Sequence, residues 1–293
     1  MVRIKPSVLK KACQINPLLP LLLPECRTIE AAQQELRWIQ NEVSDKKRVR
    51  QCCMLRARHY PLQYLLGSQP FGPLDVTCQP GVLIPRWETE EWTVSLAEKL
   101  PRDMAFDIMD LCTGTGCIPL LLKQMCPKCS VFAVDRSPLA YKLATRNSNT
   151  LQVPLKIIKK DILERSSEIV PRTVDLITCN PPYIPRTTFA RETARSVKLF
   201  EPKLALLGNK EFYANLVDCW MSRTDAFVYE VGDLSQCYYV LNRVTGDVDL
   251  SRKWRIGFRH DSCGRPRIVY GFRASGSRLN WASILVKFGD MKH

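Results

Sequence analysis

The chain has 293 residues, of which 45% are hydrophobic and 25% are charged, a composition typical of a folded globular protein. The net charge of +14 comes from residues 1–90 and 251–293, while residues 91–250 are close to neutral. Basic ends suit contact with RNA, ribosomes or an acidic protein, although charge alone does not choose among these partners. With only three histidines, the sequence offers little material for a His-centred triad or for metal catalysis.

The 13 cysteines indicate reduced thiols in an intracellular compartment, because no secretory signal pattern precedes them. Cys126 and Cys129, in "MCPKC", have the spacing of metal ligands. A zinc site needs four ligands, and no second CxxC or His pair accompanies this one. We therefore predict that the protein binds no metal.

The first 24 residues have the charge bias of an organelle transit peptide, with four basic residues and no acid before Glu25. Against that interpretation, arginine is scarce there, and the prolines of "NPLLPLLLP" interrupt an amphipathic helix. The stretch is too short to span a membrane, and we expect no membrane partner. We predict a mitochondrial targeting segment over residues 1–24, with the cytoplasm as the alternative location.

Residues 25–63 predict a helical region. From Thr28 to Val43, apolar residues recur at spacings of three and four, and Thr28 is a suitable N-cap. A second helix is expected from about Lys46 to His59. Pro61 then precedes residues 64–90, a stretch rich in Gly and Pro that we interpret as a linking, hairpin-like segment.

Residues 91–293 alternate short apolar runs with helical lengths. This pattern predicts a Rossmann-like α/β fold with a mostly parallel, seven-stranded sheet and helices on both faces. The seven runs are "FDIMDL", "VFAVD", "LKIIKKD", "VDLITCN", "AFVYEVG", "WRIGF" and "RIVYGF". From Arg273 to His293 the pattern is weaker, and "WASILVKF" predicts either an extra strand or a loosely attached tail.

A glycine-rich loop follows the first of these strands, and its residues are Cys112, Thr113, Gly114, Thr115 and Gly116. The two glycines let the backbone approach a ligand closely. The loop lacks the third glycine of the dinucleotide fingerprint, and no GK[ST] follows, so a cofactor without a pyrophosphate fits better.

Acidic residues stand at the ends of the next two strands. Asp135 ends the second strand, where a carboxylate accepts hydrogen bonds from both hydroxyls of a ribose. Asp161 closes the third strand. Together with the glycine-rich loop, these positions predict a cofactor site at the carboxyl ends of the strands.

The stretch "VDLITCNPPYIP" places Asn180 at the carboxyl end of the fourth strand, beside the expected cofactor loop. Asn180 offers an amide oxygen as acceptor, Pro182 biases Pro181 toward an extended conformation that fixes its carbonyl, and Tyr183 supplies a flat face. Two acceptors on a planar NH2 group localise the nitrogen lone pair and make it more nucleophilic. No side-chain base is required if the proton leaves as or after a methyl group arrives. We therefore predict that residues 180–183 are catalytic.

With these motifs the sequence resembles the HemK-type protein-glutamine methyltransferases, which methylate the side-chain amide N(5) of glutamine in the Gly-Gly-Gln loop of peptide chain release factors. The likeness runs from Tyr64 to Phe272 and includes "YLLGSQPFGPLDVTCQPGVLIPRWETE", "EPKLALLG", "YEVGDLSQ" and "HDSCGRPRIVYG". It implies a class I S-adenosylmethionine-dependent methyltransferase fold, a release factor as protein substrate, and an N-terminal helical domain that recognises that substrate.

The same resemblance implies roles for individual residues. Residues 112–116, Asp135, Ile162 and Asn180 would line the S-adenosylmethionine site, and residues 180–183 would hold the substrate glutamine. The segment that matches the family's PR-x-ETE pattern would border both sites, through Arg86, Glu88, Thr89 and Glu90.

Two departures from the family pattern concern the substrate side. Trp87 stands where the family commonly has proline, and "LLGNKEF" replaces a glycine-rich GG-x-[DE]-G segment. We therefore expect a different substrate-side surface with the same chemistry.

A nucleic-acid adenine-N6 methyltransferase is the main alternative, because a [DNS]PPY segment acts in the same way on a purine NH2 group and the chain is basic. The "PGVLIPRWETE" segment favours protein glutamine. So does the N-terminal region, whose roughly 60 helical residues leave no room for a sizeable base-recognition domain. We expect no direct nucleic-acid target.

Two further interpretations concern activity and location. A catalytically idle binding module is disfavoured, because Gly114, Gly116, Asp135 and the whole of residues 180–183 are present together. The transit-like start favours the mitochondrial member of the family, with a mitochondrial release factor as substrate.

Overall fold

The computed structural model describes residues 4–164 and 173–293, without the side chain of Glu192. The N-terminal helices are α1 Pro6–Ile15, α2 Leu19–Cys26, α3 Ile29–Glu42, α4 Lys46–Ala57 and α5 Leu62–Leu66. Thr28 caps α3 by accepting a hydrogen bond from the backbone nitrogen of Ala31 at 3.1 Å, and Asp45 caps α4 in the same way. The two helices expected between residues 28 and 59 are confirmed.

These helices surround a hydrophobic cluster of their own, and a buried ion pair between Glu35 on α3 and Arg56 on α4 lies beside it, with Nη2 and Oε2 3.1 Å apart. Leu19, Leu22 and Leu23 on α2 are fully buried in the cluster. The expected boundary between residues 24 and 25 therefore does not coincide with a boundary in the packing. Residues 1–3 of the predicted targeting segment lie outside the described residues.

A two-stranded antiparallel hairpin connects the helical region to the rest of the chain. Its strands are β1 Ser68–Phe71 and β2 Leu74–Thr77. Helix α6, Trp87–Lys99, begins before the expected end of the linking segment. Glu90 on this helix accepts a hydrogen bond from the backbone nitrogen of Gly72 at 2.7 Å and so ties the helix to the turn of the hairpin.

All seven predicted strands form one mixed sheet. They are β3 Asp107–Leu111, β4 Ser130–Asp135, β5 Lys156–Lys159, β6 Val174–Cys179, β7 Thr224–Glu230, β8 Trp254–His260 and β9 Pro266–Arg273. The sheet order is β10-β8-β9-β7-β6-β3-β4-β5, in which β10 Asp290–Met291 is an additional short edge strand. Strands β5, β4, β3, β6 and β7 are parallel, and β9 runs antiparallel to β7 and β8. The predicted α/β class is confirmed.

Helices cover both faces of the sheet, since neighbouring residues such as Ile108 and Met109 of β3 belong to different hydrophobic clusters. All six residues of the central strand β6 are buried. The α-helices described after α6 are α7 Cys117–Met125, α8 Pro138–Thr150, α9 Arg186–Glu192, α10 Arg195–Phe200, α11 Lys203–Leu206, α12 Glu211–Asn215, α13 Leu234–Thr245, α14 Val248–Lys253 and α15 Trp281–Leu285. A π-helix, Leu216–Trp220, and a 3-10 helix, Met221–Arg223, follow α12.

The C-terminal segment corrects one prediction. Residues expected to form an extra strand or a loose tail form helix α15, and Trp281, Leu285 and Phe288 are buried in the cluster beneath α6 and α7. Trp281 and Leu285 lie four residues apart on one face of α15, and Phe288 packs into the same cluster from the turn that follows the helix. In the described parts of the chain, no helix has the length and apolar character needed to cross a bilayer.

Candidate active site

A cavity of about 280 Å³ opens at the carboxyl ends of the parallel strands. The loops after β3, β4, β5 and β6 line it, together with residues 81–86 and part of 202–212. Open α/β sheets bind ligands at this edge. The predicted site residues that line the cavity are Arg86, Thr89, Cys112, Thr113, Gly114, Thr115, Asp135, Ile162, Asn180 and Pro182.

The glycine-rich loop after β3 is shaped by left-handed backbone conformations. The φ angles of Cys112, Gly114 and Gly116 are 58°, 58° and 84°. A Cβ atom on Gly114 would meet no protein atom within 4 Å, so the glycine leaves open space on the cavity wall. Gly116 does not line the cavity, and an added Cβ would lie 3.4 Å from Ala144 on α8. One glycine faces the ligand space and the other permits close packing of α8.

Asp135 is held by backbone on both sides. Its Oδ2 accepts a hydrogen bond from the nitrogen of Gly114 at 2.9 Å, and its Oδ1 accepts one from the nitrogen of Ser137 at 2.8 Å. Burial raises the pKa of this carboxyl, and the two backbone donors and Arg136 oppose that rise. The side chain thus bridges the glycine-rich loop and the start of α8.

The side chains at this end of the cavity fit a nucleoside with an unmodified ribose. Asp135 could accept hydrogen bonds from vicinal hydroxyls, and Ile162, 4% exposed, is an apolar part of the lining. Asp161, at the end of β5, pairs with Arg136 at 2.9 Å on the rim.

The segment 180–183 leaves β6 and is wedged between two glycines. A Cβ on Gly208 would lie 2.0 Å from the carbonyl oxygen of Pro182, and one on Gly232 would lie 2.7 Å from the ring of Tyr183. Asn180 and Pro182 line the cavity, whereas Pro181 and Tyr183 lie behind them. The segment therefore has little freedom to move.

A chain of hydrogen bonds holds the side chain of Asn180. Its Nδ2 donates to Oγ1 of Thr89 at 3.1 Å, and that hydroxyl donates to Oε2 of Glu230 at 2.7 Å. Trp92 Nε1 also donates to Oε2 at 2.9 Å, and the hydroxyl of Tyr183 donates to Oε1 at 3.2 Å. Oδ1 of Asn180 has no hydrogen-bond partner in residues 4–164 and 173–293.

Glu230 is fully buried at the end of β7. Burial raises the pKa of its carboxyl, and hydrogen bonds from Trp92, Thr89 and Tyr183 and the charge of Arg267 oppose the rise. Asp110, at the end of β3, is equally buried, and burial raises its pKa to about 7. Two carboxyl groups thus lie beneath the cavity floor without lining it.

Three charged side chains of the PR-x-ETE segment contact three different parts of the structure. Arg86 lines the cavity and donates to Glu201 at 2.6 Å, Glu88 pairs with Arg267 at 3.7 Å, and Glu90 binds the turn of the hairpin. The structure thus brings Arg86 and Thr89 to the cavity but does not place Glu88 or Glu90 in its lining. Arg86 precedes α6 with an extended backbone, and Glu88 and Glu90 lie two residues apart on the helix, so their side chains point about 200° apart.

Four further residues, which were not predicted from the sequence, support the site, namely Trp92, Glu201, Glu230 and Gln236. Gln236 donates to the backbone oxygen of Tyr183 at 2.9 Å. "EPKLALLG" and "YEVGDLSQ" contain three of the four, so the family-like stretches carried a signal without identifying the partners. In the described residues no group of three or more His, Cys, Asp or Glu side chains has the arrangement of a metal site, and Cys126 and Cys129 are buried in the main core.

Comparison with known proteins agrees with this geometry. Residues 74–200 match the family model described as "Methyltransferase small domain". The catalytic domain of hMettl16, crystallised with an RNA hairpin, superposes with a TM-score of 0.55 at 17% identity over 77% of this chain and 82% of that chain. At this identity the likeness shows the fold alone.

Two relatives show the family. The chain is 45% identical to the mitochondrial MRF1 N(5)-glutamine methyltransferase MTQ1 of Saccharomyces cerevisiae, over 100% of this chain and 96% of that protein. It is 36% identical to the release factor glutamine methyltransferase of Mycolicibacterium smegmatis, over 76% of this chain and 78% of that protein. The chain therefore belongs to the family of release factor N(5)-glutamine methyltransferases.

Proposed function

We propose that this protein transfers a methyl group from S-adenosylmethionine to the side-chain amide nitrogen of the glutamine in the Gly-Gly-Gln loop of a mitochondrial release factor. The observation that carries the proposal is the oxygen of Asn180, an acceptor without a partner among the described residues, on the wall of the cavity that also contains the glycine-rich loop. Family membership supports the same activity.

Residues of the glycine-rich loop, Asp135 and Ile162 would hold the methyl donor. Asp135 would accept hydrogen bonds from the ribose, Ile162 would contact the base, and the open space at Gly114 would admit the ligand close to the backbone. When bound, S-adenosylmethionine supplies a methyl group on a positively charged sulfonium sulfur, which becomes a neutral thioether.

Asn180 would accept a hydrogen bond from the substrate NH2 group through Oδ1. The second acceptor would be the backbone carbonyl of Pro181, which the substrate would have to reach between the lining residues Asn180 and Pro182, because Pro181 itself does not line the cavity. An amide nitrogen is a poor nucleophile because its lone pair is delocalised into the carbonyl. Two acceptors on its hydrogens favour a pyramidal nitrogen with a localised pair. The nitrogen forms one C–N bond and releases one proton to solvent, so no buried base is needed.

The carboxyl groups beneath the cavity do not take that proton in this proposal. Glu230 lies behind Thr89 and does not line the cavity, and Asp110 accepts a hydrogen bond from Thr178 at 2.7 Å inside the sheet. A general base must come within hydrogen-bond reach of the proton it removes. Positioning therefore supplies most of the rate acceleration.

The rim of the cavity would bind the release factor. Trp87 and Leu204 are 49% and 48% exposed. Arg186 lines the entrance with positive charge, whereas the charge of Arg86 is paired with Glu201. The helical region adds exposed Trp38, 47% accessible, on α3. Apolar and basic side chains of this kind suit a protein partner with an acidic surface. The mitochondrial location is proposed from the name of the Saccharomyces relative, which is a mitochondrial enzyme.

The test is methyl transfer from labelled S-adenosylmethionine to three substrates: a mitochondrial release factor, its Gly-Gly-Gln variant with glutamine replaced by alanine, and duplex DNA. We expect label on the intact release factor alone. Label on DNA would favour an adenine-N6 methyltransferase, and equal label on both release factors would indicate another protein residue. Either of these results would overturn the proposal.

A further inference from the structure

The hydrogen bonds around Glu230 have a direction that the chemistry of the donors imposes. The indole Nε1 of Trp92 can only donate, and an ionised carboxylate can only accept. Oε2 of Glu230 accepts from Trp92 at 2.9 Å and from the hydroxyl of Thr89 at 2.7 Å. With its single proton committed to Glu230, Thr89 has only lone pairs to offer its next neighbour.

That neighbour is the side chain of Asn180, 3.1 Å from Oγ1 of Thr89. An amide group presents either an oxygen or an NH2 group, and only the NH2 group can donate to the lone pairs of Thr89. Nδ2 of Asn180 must therefore face Thr89, which leaves Oδ1 on the opposite side. We call the series of hydrogen bonds from Asn180 through Thr89 to Glu230 the relay. The orientation of the amide follows from donors and acceptors, not from the shape of the side chain.

We propose that Thr89 and Glu230 are positioning residues that keep the amide oxygen of Asn180 turned toward the substrate. The inference rests on the proposed function, because it assumes that Asn180 is the acceptor for the substrate amide. A reversed Asn180 would present NH2 to the substrate NH2 group, so two donors would meet and the acceptor would be lost.

The same carboxylate also positions a second member of the segment 180–183. Oε1 of Glu230 accepts from the hydroxyl of Tyr183 at 3.2 Å, while Oε2 serves the relay to Asn180. Thr89 is 1% exposed and Glu230 is fully buried, so water does not compete for these hydrogen bonds. One buried group therefore fixes both ends of the catalytic segment.

The first experiment compares two threonines on α6 that receive the same substitution. Thr89→Val removes the hydroxyl of the relay with little change of volume. Thr93→Val is the matched control, because Thr93 is also buried, lies one turn farther along α6, and donates only to the backbone oxygen of Thr89 at 2.6 Å. Thr89→Ser keeps a hydroxyl and tests whether that group alone restores kcat.

We expect Thr89→Val to lower kcat about 10- to 100-fold, because the reacting nitrogen loses its fixed acceptor. The dissociation constant for S-adenosylmethionine and the melting temperature should stay close to those of Thr93→Val. Thr89→Ser should recover a large part of the lost kcat. If Thr89→Val and Thr93→Val have the same kcat, or if Thr89→Ser is no better than Thr89→Val, the relay is wrong.

The second experiment tests whether residue 230 must accept the hydrogen bond from Thr89. In Glu230→Gln, the donor Trp92 should hold the amide oxygen at the position of Oε2, which still accepts from Thr89, and the new NH2 group would face the oxygen of Tyr183. Glu230→Leu has similar volume but no acceptor. We expect Glu230→Gln to keep a much larger share of kcat than Glu230→Leu, and equal losses in the two variants would overturn the inference.

Failure of this inference is distinguishable from failure of the proposed function. If the wild-type enzyme does not methylate the glutamine of the release factor, the proposed function fails before any variant is compared. If the wild-type enzyme is active and the Thr89 and Glu230 variants behave as their controls do, only the relay fails.

Discussion

The glycine-rich end of the cavity and the Asn180 end are built from different materials. At the first end, backbone conformations at residues 112–116 shape the wall, and backbone nitrogens hold Asp135. At the second end, the side chains of Thr89 and Glu230 hold Asn180, with no backbone donor in the relay. The first end depends on backbone conformation, and the second depends on an ordered series of hydrogen-bond donors and acceptors.

This difference is also one of distance along the chain. Gly114 and Asp135 are 21 residues apart, whereas Asn180 and Thr89 are 91 apart and Thr89 and Glu230 are 141 apart. The first end forms within one βαβ unit, while the second requires α6, β6 and β7 to be assembled. Substitutions at the two ends should therefore separate cofactor binding from turnover.

The largest separation is expected from Asn180→Ala. Loss of the amide oxygen removes the acceptor at the reacting nitrogen, and turnover should fall by about 100- to 1000-fold. Affinity for S-adenosylmethionine should stay within about tenfold, because Asp135 and the glycine-rich loop are unchanged. Single-turnover kinetics and equilibrium cofactor binding measure the two effects. Turnover close to that of the wild type would contradict the role given to the amide.

Gly208→Ala should give the next largest effect. The new Cβ would lie 2.0 Å from the carbonyl oxygen of Pro182, so the segment 180–183 has to move. A displacement of about 1 Å at reacting groups costs roughly 100-fold in rate. Asn209→Ala, at the exposed neighbouring position, is the matched control for kcat. If Gly208→Ala matches that control, the wedge between the two glycines is not needed for catalysis.

Most of the fold was predictable because its signals are local. The central strands are short apolar runs, as in β6, whose six residues are all buried, and burial on both faces of a parallel sheet requires such runs. The N-cap at Thr28 and the glycine-rich loop were predictable for the same reason, because a cap or a tight turn involves residues that are neighbours in sequence. The positions of Asp135 and Asn180 at strand ends could be predicted because each residue ends an apolar run in the sequence.

The relay was not predictable, because nothing in the sequence near residue 89 indicates a carboxylate 141 residues away. Glu90 shows the converse problem: it belongs to the same family-like segment as Thr89 but faces Gly72 of the hairpin. The C-terminal helix was missed for a different reason. Trp281 and Leu285 are one helical turn apart, but a helix of five residues gives too short a periodic run to be recognised in the sequence.

Asp135→Ala probes the glycine-rich end. The loss of acceptors for a ribose should weaken binding of S-adenosylmethionine by about 1–3 kcal/mol. Turnover at saturating cofactor should change little, because the relay to Asn180 does not involve Asp135. Asp103→Ala, an exposed position with the same change of charge, is the control in calorimetric titrations. A loss of turnover without a loss of affinity would reverse the assignment of the two ends.

The smallest effect is expected at Cys112, whose φ of 58° lies in the left-handed region that disfavours residues with a side chain. Glycine relieves this strain, so Cys112→Gly should raise the free energy of unfolding by up to about 1 kcal/mol. A β-branched residue fits such a backbone worst, so Cys112→Val should lower it. Thermal denaturation of the two variants provides the comparison. If valine is as stable as glycine there, backbone conformation is not what shapes the glycine-rich end, and the contrast with the Asn180 end loses its basis.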